Sequence, residues 1–207
     1  MLTRVLDEVN CISLPGPGFT RPSYSDEESR AHDCVARICE ALGLKIQRDP
    51  AGNLFARLPG RDRSLPAVHI GSHLDTVGQG GAYDGTVGVA AAVALAAWFA
   101  ERGQQPQADL IVTVTRAEES VWFPVSYAGS RMALRRLQPE ELEVRRGDTG
   151  RTLAEHMREQ GFDPDAIWGL APPRKARFVE VHIEQGPVLS AAGDAFALVT
   201  GIRGGLR

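Results

Sequence analysis

The chain has 207 residues, 43% of them hydrophobic and 24% charged, with a formal net charge of −3. That length carries one sizeable domain, or one domain and the start of a second. The mildly negative balance and the lack of a basic stripe argue against nucleic acid or an anionic membrane surface as a partner.

The opening stretch MLTRVLDEVN has neither a basic n-region nor an apolar h-region, so no signal peptide is expected. Residues 15–24, rich in Pro, Gly and Ser, read as a loop. Ser25 is the expected N-cap of the next helix, with Glu28 as its capping-box partner. Ala31, Cys34, Val35, Ile38 and Leu42 follow at helical spacing, and Gly43 is a natural stop. Cys11, Cys34 and Cys39 form no CxxC pair and read as reduced thiols of a cytoplasmic protein, the last two on the core side of this helix. Residues 44–47 and 54–58 read as strands joined by a turn at 49–53. Residues 67–71 form a nearly continuous apolar strand suited to a buried sheet. A Gly-rich loop at 78–81 leads into a helix expected over 84–102. Its apolar run at 87–100, about 14 residues, falls short of the roughly 20 that span a bilayer. Residues 109–115 read as a second buried strand, 116–128 as a loop, and 130–137 as a helix. A polar region over 138–175 has a helical piece at 153–160, and further strands are expected at 178–183 and 195–200. Strands alternating with long helices indicate an α/β domain with a mixed sheet flanked by helices on both faces.

Several residues at the expected strand ends carry chemistry. His73-Leu74-Asp75 directly follows an apolar strand, and a metal-binding His commonly has its second ring nitrogen held by a carboxylate. Asp84 opens the next helix; it suits a cap, but its two oxygens also suit a bridge between cations. Glu118-Glu119 follows the next strand, where one carboxylate can bind a metal while the other acts as general base. His182 lies in the third buried strand, with Glu184 and Gln185 beyond it. Alone, each has an ordinary structural reading: a polar loop, a helix cap, a solvated acidic pair, a core histidine. Together they bring His and carboxylate groups to one sheet edge with no Cys, a donor set that fits zinc or manganese. The chain has no GxSxG elbow, no Walker loop and no GxGxxG after a strand.

With these residues in hand, the sequence resembles the hydantoinase/carbamoylase family of two-metal amidohydrolases, which includes N-carbamoyl-L-amino-acid hydrolases, allantoate amidohydrolases and β-ureidopropionases. The matching stretches are GFTRPSYSDEE (18–28), DPAGNLFARLPG (49–60), GSHLDTVGQGGAYDGTVGV (71–89), RAEESVWF (116–123), GSR (129–131) and VHIEQGPVL (181–189). The resemblance implies a zinc-exopeptidase-like catalytic domain holding two divalent metal ions, zinc or manganese. In it His73 and His182 would bind one metal, Asp84 would bridge both and Glu119 would bind the second. Glu118 would be the general base toward a metal-bridging water, Asp75 would orient His73, and Gln185 would contact a small-molecule substrate. The reaction implied is hydrolysis of a non-peptide C–N bond in a linear amide, an N-carbamoyl-L-amino acid or related ureido acid. An aminoacylase or exopeptidase, or a catalytically inactive metal-binding fragment, stands as the alternative.

Members of the family are usually homodimers. By this resemblance, residues 1–200 are expected to correspond to the N-terminal part of the catalytic domain and 201–207 to the start of a lid and dimerisation domain, the rest of which is expected to be missing. The family's further His ligand would lie beyond it, and His32, His69 and His156 are not expected to replace it. The uncovered part of the sheet is expected to expose an apolar patch.

Overall fold

In a computed structural model that describes residues 1–171 and 173–201, the chain folds around a five-stranded mixed sheet. The strands β1 (Lys45–Arg48), β2 (Leu54–Leu58), β3 (Val68–His73), β4 (Leu110–Thr115) and β5 (Arg177–Val179) lie in the order β1-β2-β4-β3-β5. β1, β2 and β4 pair antiparallel, and β3 is parallel to both β4 and β5. The parallel β3–β4 pair needs a crossover, and helix α3 (Thr86–Glu101) supplies it.

The register puts Leu54, Ala56, Leu110, Val112 and Val114 on one face of the sheet, where they form the main core. Helices α1 (Leu2–Asn10) and α2 (Asp26–Ala41) join α3 in covering it, through Val5 and Val9, Val35 and Ile38, and Val89 and Val93. α3 is apolar all round, as suits a helix buried on more than one side. It lies so close on β3 that a Cβ at Gly88 would sit 2.7 Å from Ser72 Cβ and 2.6 Å from the Val181 carbonyl oxygen.

The mixed α/β sheet with flanking helices is as expected. The three long ones lie together, because α3 packs against α1 and α1 against α2. The opposite face carries His69, bonded through Nδ1 to Thr113 Oγ1 at 2.8 Å and edge-on to Phe55, and ends in exposed Phe178.

A second apolar cluster lies beyond the strand ends. Tyr24, Phe123, Met132, Leu153, Met157 and Ile167 gather there around α4 (Ala128–Ala133) and α5 (Leu153–Glu159). Ala117, Phe123 and Val125 of the loop after β4 belong to this cluster, so the loop is packed rather than free.

Other expectations need revision. α1 was not anticipated from the sequence; its apolar Val5, Leu6 and Val9 sit among Arg, Asp and Glu in a segment of only nine residues. Ser25 caps α2 by accepting the Glu28 N–H, but Glu28 does not close the capping box: its carboxylate accepts from the Tyr24 N–H instead, at 2.6 Å. Gly85, not Asp84, is the N-cap of α3. The strand expected over 178–183 shrinks to β5, and His182 lies past its end. The strand expected over 195–200 does not form: that stretch gains no pairing neighbour to take up its backbone groups, and Phe196 and Leu198 are 81% and 88% exposed. A short helix, α6 (Val188–Ala192), precedes it. From residue 202 onward, the expected start of a second domain lies outside the described residues. Cys34 and Cys39 are buried, as expected, and Cys11 is exposed. Among the described residues no helix is long and apolar enough to cross a membrane.

Candidate metal centre

His73 is the last residue of β3 and is 1% exposed. Its Nδ1 lies 2.9 Å from the Asp75 carbonyl oxygen and 3.5 Å from Asp75 Oδ1. The main chain of Asp75 therefore holds the ring more closely than its carboxylate does. Nε2 is left facing outward, 3.9 Å from Asp84 Oδ1 and 3.8 Å from Glu118 Oε2.

Asp84 sits at the turn into α3, and the ring of His73 fills the space where a side chain on Gly85 would go. His182 approaches from beyond β5. Its Nδ1 is engaged by the Ile183 carbonyl at 2.9 Å, and its Nε2 lies 3.2 Å from Asp84 Oδ1. The Gln185 amide donates to the other Asp84 oxygen at 2.6 Å. Glu118 and Glu119 lie in the loop after β4, which turns through Ala117 at φ +49°.

The Asp75 carboxylate fixes that loop. Oδ1 accepts the Glu118 N–H and Oδ2 the Glu119 N–H, each at 3.1 Å, and Oδ2 also accepts the Ser23 hydroxyl at 2.6 Å. All seven residues singled out in the sequence thus gather at the C-terminal ends of β3, β4 and β5. The remaining histidines do not join them: His32 is fully buried on α2, His69 bonds to Thr113, and His156 bonds to Thr149 at 2.8 Å.

The electrostatics follow from crowding. Burial alone would lower His73, but the Asp75 side chain outweighs it, with Glu118 assisting, and the imidazole is raised to about 10. His182 is raised to about 9, first by its bond to Asp84, which is lowered in turn by the same bond. Burial pushes Glu118 up, and burial together with the Glu118 charge takes Glu119 up to about 7. Carboxylates this close do not share a site comfortably without positive charge between them.

The donor chemistry fits divalent cations. One ligand atom each from His73, Asp84 and His182 lie within 4.8 Å of one another, as do those of His73, Glu118 and Glu119. Both rings have their Nδ1 occupied, so each offers Nε2 as a neutral ligand once it loses its proton. A cavity of about 430 Å³ lined by Val68, Leu95, Phe99 and Leu110 lies at the other end of β3 and β4, away from these groups.

Sequence reasoning missed the groups that hold the site from behind. Arg21, fully buried, donates to the Leu74 carbonyl at 2.7 Å and the Thr86 hydroxyl at 2.9 Å, tying the end of β3 to the start of α3. Ser23, Glu28, Asn53 and Arg116 were missed as well. A buried Arg or Glu looks like any other charged residue in a string; only the recurrence of polar residues in 18–28 and 49–53 hinted at them.

The model of Peptidase family M28 matches residues 53–145. The chain is 41% identical over 192 residues to an N-carbamoyl-L-amino acid amidohydrolase of Geobacillus stearothermophilus, covering 92% of this chain and 47% of the relative. It is 35% identical to a ureidoglycolate hydrolase of Oryza sativa subsp. japonica, covering 97% of this chain and 43% of the relative. A solved hydantoinase/carbamoylase family amidase from Burkholderia ambifaria superposes with a TM-score of 0.79 at 31% identity, over 93% of this chain and 47% of that one. The chain spans about half the length of the curated relatives it matches. Over that half, the chain is similar in both sequence and fold to amidohydrolases of the hydantoinase/carbamoylase family.

Proposed function

We propose that this chain carries the metal centre of a hydrolase that cleaves a non-peptide C–N bond in a linear amide, with N-carbamoyl-L-amino acids or related ureido acids as the substrate class. The reading rests on one observation: His73, Asp84, Glu118, Glu119 and His182 converge at one sheet edge as two overlapping sets of three ligand atoms. The names of the similar proteins, an N-carbamoyl-amino-acid amidohydrolase and a ureidoglycolate hydrolase, support the substrate class.

In this reading His73, His182, Asp84 and Glu119 would be the residues that hold the cations, His73 and His182 serving one and Glu119 the other. Bound there, two divalent cations would supply Lewis acidity toward the substrate carbonyl and a lowered pKa for a water. Glu118 Oε2 faces the centre without entering a strong ion pair, 3.8 Å from His73 Nε2, and burial raises its proton affinity. It takes a proton from the attacking water and returns it to the departing nitrogen. Asp75 keeps the Glu118 carboxylate at that distance by holding its main chain. Gln185, whose amide donates to Asp84, is a polar side chain at this centre from which to address a substrate.

A panel of N-carbamoyl amino acids, ureido acids, N-acyl amino acids and dipeptides, assayed with zinc or manganese, tests the reading. Ammonia release from the first two groups supports it, and its loss by roughly 10²–10⁴-fold in Glu118→Gln supports the base assignment. The match to a peptidase family favours a second reading, an aminoacylase or exopeptidase, which would release amino acids from the last two groups instead.

A further inference from the structure

The loop that carries Glu118 and Glu119 is held in an unusual way. Four consecutive backbone N–H groups, from 116 to 119, each donate to a side chain from another part of the chain. Arg116 N–H goes to Asn53 Oδ1 at 3.0 Å, Ala117 N–H to Glu28 Oε1 at 3.1 Å, and the next two to Asp75. The carbonyls of 116, 117 and 118 accept from Gly129, Ala128 and Tyr127, so both edges of the loop are occupied.

Two of these acceptors are themselves locked. Asn53, fully buried, donates to Asp49 Oδ2 at 2.7 Å and to the Gly129 carbonyl at 2.9 Å. Glu28, also fully buried, accepts from Arg116 Nη1 at 3.0 Å, and the Arg116 guanidinium stacks over Phe162 with its Nε on the Gly52 carbonyl. No helix or strand ladder supplies this support. Such acceptors cost stability when left without donors, and a loop of ordinary surface function would have no need of them.

We infer that Glu28 and Asn53 are positioning residues for the metal centre: they set the 116–119 backbone so that the Glu118 and Glu119 carboxylates face His73. This rests on the reading of that cluster as a metal centre. Outer partners of this kind typically change metal affinity by about 10–100-fold when removed.

The test is manganese binding to the intact chain by equilibrium dialysis, with amide hydrogen exchange on the same samples. Asn53→Ala and Glu28→Ala are compared with Val93→Ala, which removes buried bulk from α3 and leaves the loop untouched. The expected result is a loss of about tenfold or more in manganese affinity, with exchange at 117–119 accelerated at least about tenfold, in the first two and not in the third. If Glu28→Ala fails to fold, Gly129→Ala takes its place, since its Cβ would lie 2.5 Å from Asn53 Oδ1. Wild-type affinity and exchange in folded Asn53→Ala overturn the inference. Failure of the wild type itself to bind manganese overturns the metal-centre reading instead, and exchange at 117–119 then decides whether Glu28 and Asn53 fix the loop.

Discussion

Gly85 lies directly against the imidazole of His73: a Cβ built on it would be 2.6 Å from the ring carbon Cε1. Its φ of +64° is also one that L side chains rarely adopt. Two independent demands therefore meet at the residue next to Asp84. Gly85→Ala is expected to cost about 1–3 kcal/mol of stability and to weaken metal binding by at least about tenfold, because relief must come from moving His73 or Asp84. Urea unfolding and manganese titration on the same variant check both effects.

Asp75 presents two oxygens to three donors, Ser23, Glu118 and Glu119. Asp75→Ala is expected to lose about 2–4 kcal/mol, since buried donors are left unpaired. Asp75→Asn is expected not to rescue it: whichever way its amide turns, the NH₂ meets an N–H or O–H that is donating. Denaturant midpoints of the two variants measured side by side would show this, and near-wild-type stability in Asp75→Asn would contradict it.

Burial pushes the Glu28 carboxyl up to about 7, against the opposing pull of Arg116. Folded protein then holds this proton more tightly than unfolded chain does, so stability falls as pH rises from about 4.5 to about 7. In Glu28→Gln that contribution is absent. The difference in unfolding free energy between wild type and Glu28→Gln is expected to move in favour of the variant by about 1–3 kcal/mol across this window, as read from urea melts at a series of pH values.

Much of this architecture could be read from residue order, for physical reasons. The strands at 54–58, 67–71 and 109–115 are apolar runs bounded by turn residues, and each forms within a residue or two of its expected place. The chemistry-bearing residues were legible because they fall just past those runs, where the chain leaves the sheet. What was not legible depends on distant partners. α1 is too short for its periodicity to stand out, and it is stabilised by packing on α3. Residues 195–200 have strand-forming composition but no neighbour to pair with. Glu28 satisfied a local helix-capping pattern, yet its side chain turns to Arg116 and Ala117, about ninety residues away, in the centre of the protein.

In the proposed function, three strand ends and one helix start build a cation site from His73, Asp84, Glu119 and His182. Its most direct test is the number of manganese ions bound per chain, measured by elemental analysis after dialysis, in wild type and in a His73→Ala/His182→Ala double variant. About two ions per wild-type chain, and a loss of that binding in the folded double variant, are expected. Equal manganese uptake by both proteins, or none by the folded wild type, would contradict it.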